Sequence, residues 1–237
     1  MLKQAFLDLL YPRCCGGCGG PAETSGGHLC WDCRADIQVI APPHCGRCGN
    51  PVEGRIDHAY ECFHCVQTSP GFDQARSAVR FEGAFTTLIH DFKYHHALWL
   101  EEELTDLLEA CVATHYGAVT FDAVCPVPLH HVRQRERGFN QAALLGDRLA
   151  GRLGLPFQGN ALLRLRDTGT QTHLTARDRL SNVKDAFGVG GSGRCSGGRF
   201  LLVDDVMTTG ATVSACAGVL KRAGAASVHV VTVARGA

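Results

Sequence analysis

Residues 200–212 read FLLVDDVMTTGAT, an apolar strand followed by two acids and a small, hydroxyl-rich turn that opens a helix. In open α/β sheets, ligands bind at the carboxyl ends of strands, where this turn would lie. The turn offers backbone N–H groups and threonine hydroxyls to an anion, and the helix N-terminus adds its positive dipole. Because Asp204 and Asp205 would repel a phosphate, we expect them to accept hydrogen bonds from sugar hydroxyls or to hold a metal ion. The segment therefore predicts a site for a phosphorylated ribose.

Strand and helix signals alternate along the chain from about residue 72, which predicts an α/β domain with a mostly parallel sheet. Apolar patterns predict strands at 76–81, 121–129, 200–203 and 227–234. Helical spacing of apolar residues predicts helices around 85–92, 100–108, 145–153 and 213–223. We expect an arginine-rich loop after the second strand and a flexible glycine-rich turn at 188–198.

Composition excludes several classes of protein. The 23 Lys and Arg balance the 23 Asp and Glu, so no overall field attracts nucleic acid or anionic lipid, and 45% hydrophobic residues exclude a disordered chain. No apolar run approaches the roughly 20 residues that cross a bilayer, and residues 1–13 are expected to form a short amphipathic helix in a cytoplasmic protein. The lack of a Gly-Lys-Ser/Thr motif excludes a P-loop ATPase.

The N-terminal region is rich in cysteine, with nine of the 13 cysteines in residues 14–65. Eight of them form four Cys-x-x-Cys pairs, a spacing typical of two closed structural zinc sites. The predicted ligands of the two Zn²⁺ ions are Cys15, Cys18, Cys30 and Cys33 for one and Cys45, Cys48, Cys62 and Cys65 for the other. The spacing also allows a cross-braced arrangement, in which pair one shares a site with pair three and pair two with pair four. Disulfides and a redox dithiol are the disfavoured alternatives.

The cysteine-rich module is predicted to span residues 1–70 and the α/β domain residues 71–237. Residues 1–70 hold five Lys and Arg against seven Asp and Glu, and thiolates on zinc add further negative charge. Phosphate contacts need clustered positive charge. We therefore expect the module to act as a scaffold or to dock proteins rather than to contact nucleic acid.

Residues 200–212 also resemble the phosphoribosyl pyrophosphate (PRPP) motif of type I phosphoribosyltransferases. Other stretches are similar to the ComF (ComFC) competence family, which carries an N-terminal zinc ribbon: FEG at 81–83, IHDFKY at 89–94, PVPL at 126–129, RQRERGFNQ at 133–141, TQTHL at 170–174 and RLSN at 179–182. This resemblance covers most of the chain. It implies a type I phosphoribosyltransferase fold, a mostly parallel sheet flanked by helices, preceded by a small cysteine-rich zinc-ribbon module.

The resemblance also implies roles for individual residues. Asp204 and Asp205 would bind the ribose 2′- and 3′-hydroxyls of PRPP, which brings Mg²⁺ with it. The 5′-phosphate would lie on the turn formed by Thr208, Thr209, Gly210, Ala211 and Thr212. Pyrophosphate would meet Arg135 and Arg137, and residues 164–182, with Gln171 and Arg179, would form a closing lid. The two acids, Arg137 and Arg179 are the catalytic candidates, and His90 and Lys93 are further candidates to face the site.

Two functions follow from the resemblance. The first is transfer of phosphoribose to an acceptor that the sequence does not identify, because threonine stands at 208 where hypoxanthine-type enzymes carry an acidic general base. The second is a non-catalytic PRPP- or nucleotide-binding adaptor in natural transformation or DNA utilisation. Such an adaptor would dock a competence helicase and recombination mediators, and would bind single-stranded DNA through the arginines at 133, 135, 137, 164 and 166.

Overall fold

The computed structural model describes residues 14–22, 28–166, 185–191 and 195–236. Within these ranges the strands are β1 (Gln74–Arg80), β2 (Ala123–Pro126), β3 (Leu162–Arg164), β4 (Phe187–Val189), β5 (Arg199–Met207) and β6 (Ser227–Arg235). The helices are α1 (Trp31–Ala35), α2 (Phe63–Thr68), α3 (Ala84–Tyr94), α4 (Glu101–Tyr116), α5 (His131–Arg137), α6 (Gln141–Leu153) and α7 (Ala211–Arg222). A 3₁₀ turn, Leu98–Leu100, leads into α4.

The main sheet is parallel and has the strand order β1-β6-β5-β2. Alternate residues of each strand point to opposite faces, so Phe200 and Leu202 pack in one core and Leu201 and Val203 in the other. The first core is covered by α7, and the second by α3, α4 and α6. Parallel sheets need helices on both faces, and this sheet has them. The predicted fold class is therefore confirmed.

One prediction for the connecting segments was wrong, and a second was wrong for two residues. The arginine-rich segment is helix α5, not a loop, and it ends at Gly138, whose φ of 79° lies in the left-handed region. The predicted flexible turn at 188–198 overlaps β4, which pairs antiparallel with β3 in a separate two-stranded sheet. Strands of three residues are too short to show a hydrophobic period, which explains why this two-stranded sheet was missed.

The cysteine-rich module packs directly on the α/β domain. Asp36, just after α1, accepts a hydrogen bond from the backbone N–H of Ala84 at the start of α3 (3.2 Å). Glu103 of α4 accepts one from the N–H of His28 (2.9 Å). Further along the chain, Cys45, Cys48 and Cys65 belong to the same buried cluster as strand residues of the sheet. Both halves of the module are therefore anchored on helices or strands of the larger domain.

Across the described part of the chain, no helix combines the length and apolarity that a membrane span requires. The helix predicted for residues 1–13 lies outside the described residues.

Candidate functional site

The eight predicted zinc ligands form two compact clusters. Sulfur atoms of Cys15, Cys18, Cys30 and Cys33 all lie within 4.8 Å of one another, and so do those of Cys45, Cys48, Cys62 and Cys65. Two S–S distances across the pairs are 3.7 Å for Cys18 to Cys30 and 3.7 Å for Cys48 to Cys62, too long for disulfides. Neighbouring pairs therefore share a site, as predicted, and the cross-braced arrangement is wrong.

Backbone N–H groups prepare the thiols to bind a cation. Cys15 Sγ accepts hydrogen bonds from the N–H groups of Cys30 (3.2 Å) and Gly17 (3.4 Å), and Cys45 Sγ accepts one from Cys62 (3.3 Å). Burial acts to raise the pKa of both thiols, but these N–H groups prevail and lower the pKa of Cys15 to about 6 and that of Cys45 to about 7. Four clustered sulfurs at each site, with N–H···S hydrogen bonds to Cys15 in one and to Cys45 in the other, fit the tetrahedral coordination of structural Zn²⁺.

A cavity of about 700 Å³ opens at the carboxyl ends of β2 and β5. Its remaining walls come from α3, from α5 and the start of α6, and from β3. The cavity lining includes Phe81, His90, Lys93, Tyr94, Arg133, Arg137, Gln141, Arg164, Asp204, Asp205, Thr208 and Thr212. The strand ends thus bring together residues from six segments of the sequence, as expected for an open α/β sheet.

Asp204 and Asp205 lie at the floor of this cavity, where β5 ends. Asp205 is mostly buried and forms an ion pair with Lys93, with 3.0 Å between Lys93 Nζ and Asp205 Oδ1. Burial, followed by the neighbouring carboxylate of Asp205, raises the pKa of Asp204 to about 7, and Lys93 opposes the rise. The pair therefore combines one ion-paired carboxylate with one that loses its proton only near neutral pH.

The turn after the two acids forms a second, smaller pocket of about 90 Å³ at the start of α7. Its walls are residues 206–213 together with Asp204, and all five predicted phosphate-binding residues, Thr208 to Thr212, belong to it. Gly210 has a φ of 80°, a left-handed conformation that turns the chain into the helix. Thr208 and Thr212 line both pockets, so an anion on the turn would share walls with the larger cavity.

The three arginines of helix α5 do not share one environment: two line the cavity and one faces solvent. Arg133 and Arg137 are one turn apart and both line the cavity, whereas Arg135, on another face of the helix, is exposed and does not line it. Arg137 donates a hydrogen bond to the Tyr94 hydroxyl (2.9 Å) and stacks over its ring, with 4.7 Å to the ring centroid. The structure therefore favours Arg133 and Arg137 over Arg135 as anion-binding residues of the cavity.

The cavity also contains residues that the sequence patterns did not predict or indicated only as candidates. His90 and Lys93 face it as suggested, and Gln141, which was not predicted, links its walls. Gln141 accepts a hydrogen bond from Arg137 (3.3 Å) and donates one to the Lys93 carbonyl (3.2 Å). One sequence signal could have identified these residues: they belong to the stretches at 89–94 and 133–141, which resemble the ComF family. Gln171, Arg179 and most of the predicted lid lie outside the described residues, although Arg164 lines the cavity.

Models of known protein families match two separate regions of the chain. Residues 6–66 match the family model for a double zinc ribbon domain, and residues 140–237 match the model for a phosphoribosyl transferase domain. The chain is 33% identical to competence protein F of Haemophilus influenzae over 93% of its own length and 96% of that protein. It is 32% identical to DNA utilization protein YhgH of Salmonella typhi, covering 85% of this chain and 94% of that one.

Among solved structures, adenine phosphoribosyltransferase from Saccharomyces cerevisiae aligns with a TM-score of 0.38 and 17% identity, covering 59% of this chain and 72% of that one. The sequence relationship is much stronger, because it extends over both the cysteine-rich module and the α/β domain. The chain belongs to the competence protein F family, in which a double zinc ribbon precedes a phosphoribosyltransferase domain.

Proposed function

We propose that this protein binds PRPP with Mg²⁺ in the cavity at the ends of β2 and β5 and transfers its phosphoribosyl group to an acceptor. One observation carries the proposal: two carboxylates, a glycine-containing hydroxyl turn and two arginines meet around connected pockets. A phosphorylated sugar that also carries pyrophosphate has matching groups, namely hydroxyls between two anionic ends. No single feature would suffice, because acids or a helix N-terminus alone are common on protein surfaces.

The arrangement suggests a pose for the substrate. The 5′-phosphate would sit on residues 208–212, where N–H groups and the dipole of α7 favour an anion. The ribose hydroxyls would donate to Asp204 and Asp205 at the floor of the larger cavity. Pyrophosphate would then extend toward Arg133 and Arg137 on α5, since guanidinium groups bind phosphate oxygens in pairs.

The reaction would be a displacement at C1′ of the ribose. The bond from C1′ to pyrophosphate breaks and its electron pair leaves on pyrophosphate, while a nucleophile of the acceptor forms a bond to C1′ and releases its proton. When bound with PRPP, Mg²⁺ would neutralise the charge on the leaving group, and the carboxylates of Asp204 and Asp205 are oxygen ligands of the kind it prefers. Arg137 is hydrogen-bonded to Tyr94 and Gln141, and it would stabilise the developing charge with little reorganisation.

Calorimetric titration of the zinc-loaded protein with PRPP, with and without Mg²⁺, tests the proposal. We expect saturable binding that depends on Mg²⁺ and disappears in the double variant Asp204→Asn/Asp205→Asn. Arg199→Met is a matched control, because Arg199 lies at the opposite end of β5 and bonds to Asp122 there. Pyrophosphate release with candidate acceptors would then separate an enzyme from a binding protein. Absence of PRPP binding in the parent protein would overturn the proposal.

A second role is favoured by the names of the relatives, which refer to competence and to DNA utilization. We propose that this protein also acts in DNA uptake or utilisation in the cytoplasm, as a partner of a competence helicase and recombination mediators. Single-stranded DNA would run along α5, where Arg135 is exposed beside Arg133. Fluorescence anisotropy at moderate salt tests this role: the variant Arg133→Ala/Arg135→Ala should lose affinity, and no binding by the parent would refute direct DNA contact.

A further inference from the structure

Two buried arginines of the parallel sheet reach the second cysteine cluster. Arg235 of β6, 8% exposed, donates hydrogen bonds to the Cys48 carbonyl (2.9 Å) and to Asn50 Oδ1 (2.9 Å), and its other amino group lies 3.7 Å from Cys48 Sγ. Arg76 of β1, 5% exposed, donates to the Gly46 carbonyl (3.0 Å). The Cys-x-x-Cys turn at 45–48, the zinc knuckle, is therefore attached to the sheet by two guanidinium groups. Two other hydrogen bonds join it to β1: the Ala75 N–H donates to the Arg47 carbonyl (2.7 Å) and the Gln74 amide to the Gly46 carbonyl (3.2 Å).

Neither arginine has a carboxylate partner within 4 Å among the described residues. A buried charge without a counter-charge is costly. Four thiolates around one Zn²⁺ carry a double negative charge, and the two guanidinium groups at the cluster balance it. The second zinc centre and this part of the sheet thus complement each other electrostatically, and each would be less stable without the other.

The backbone of Arg235 lies at the edge of the cavity. Arg235 pairs with Met207 in the register of β6 against β5, and its carbonyl accepts a hydrogen bond from the N–H of Phe81 (2.7 Å). The next residue, Gly236, donates to the Met207 carbonyl (3.0 Å). Phe81 lines the cavity, and Met207 immediately precedes Thr208 of the phosphate turn. One residue therefore contacts the zinc knuckle with its side chain and the candidate site with its backbone.

We propose that Arg235 is a positioning residue that couples the second zinc centre to the phosphate turn, so that loss of the metal loosens the turn. The ligand assigned to that turn rests on the proposed function, but the coupling itself does not. Arg76 provides the contrast, because it balances the same thiolates while its backbone pairs with Val231 in the middle of the sheet, away from the cavity. The coupling is therefore specific to Arg235.

Hydrogen exchange followed by mass spectrometry tests the coupling without any ligand. In zinc-loaded Arg235→Met, amides of residues 205–211 and of Gly236 should exchange about tenfold faster than in the parent protein, as expected on loss of charge-assisted hydrogen bonds. Zinc-loaded Arg76→Met should leave these amides within about twofold of the parent. Transfer of zinc to a colorimetric chelator should be faster in both variants, and Arg235→Lys, which keeps the charge and a donor, should restore part of the protection.

Two results would overturn the proposal. One is unchanged exchange at residues 205–211 in Arg235→Met despite faster zinc loss. The other is equal acceleration throughout the sheet, including β2, which would show general destabilisation rather than coupling. Reciprocity adds a check: if PRPP binds the parent, it should slow loss of the second zinc ion there but not in Arg235→Met. If PRPP fails to bind, the proposed function fails while the exchange result still decides the coupling.

Discussion

Asparagine in place of Asp204 tests the electrostatics of the candidate site without any ligand. Burial and the neighbouring Asp205 raise the pKa of Asp204 from its ordinary 3.8 to about 7. A carboxyl whose pKa is higher in the folded state favours folding while it is protonated, and this contribution is lost as the pH rises from about 4 to about 7. The carboxylate should therefore lower the free energy of unfolding above pH 7 by up to about 4 kcal/mol relative to acid.

Asp204→Asn has a similar size and no charge, so it should be more stable than the parent protein at pH 8. About 1 kcal/mol of the titration falls between pH 6 and pH 8, and the stability difference should widen by that amount across this interval. Urea denaturation of the zinc-loaded proteins at both pH values measures it. Asp205→Asn is the matched control, and it should be destabilised because it leaves Lys93 without its partner.

The reasoning would be refuted if Asp204→Asn were no more stable than the parent at pH 8, or if its advantage shrank between pH 6 and pH 8. Either result would mean that the carboxylate is already well solvated or that Lys93 compensates it fully. The same variant should lose PRPP binding. A gain in stability together with a loss of binding would identify Asp204 as a residue retained for function at the expense of stability.

The remaining predictions concern the metal and the anion site. Elemental analysis of the purified protein should give about two zinc ions per chain, and one ion would mean that one cluster does not bind metal. Arg137→Met should weaken PRPP binding by about tenfold in calorimetry. Arg135→Met, on the exposed face of α5, should change the affinity by less than about twofold. Equal losses in the two variants would contradict the assignment of the two helix faces. Gly210→Ala should lower the free energy of unfolding by about 1 kcal/mol and weaken PRPP binding, because alanine disfavours the left-handed backbone of the phosphate turn. An unchanged affinity for PRPP would show that the turn does not hold phosphate.

Local patterns predicted the parts of the molecule that depend on neighbours in sequence. The zinc ligands follow from Cys-x-x-Cys spacing, and the strands of the parallel sheet follow from runs of buried apolar residues such as 200–203. The pairing of neighbouring knuckles also agrees with the simplest reading of the spacing. Helix α5 was missed because an arginine-rich run has no apolar face, and none of its residues is buried in the structure.

Residues brought together by the fold could not be ranked from sequence. The ion pair of Lys93 with Asp205 joins α3 to β5, and no spacing rule connects two such distant segments. The exposed position of Arg135 depends on the helical phase of α5, which was expected to be a loop. Arg235 shows no motif at all, and its role depends on β6 lying beside the knuckle at 45–48.

The position of β6 has a consequence for biosynthesis. It is the last of the described strands in chain order, yet it lies between β1 and β5 and pairs with both. While the ribosome makes the chain, the zinc ligands emerge before β6, and β1 and β5 each keep one edge open until β6 has been made. Unpaired strand edges promote aggregation. A nascent chain that stalls before β6 should therefore be a target for chaperones and proteases, whereas a chain that includes β6 can pair both open edges.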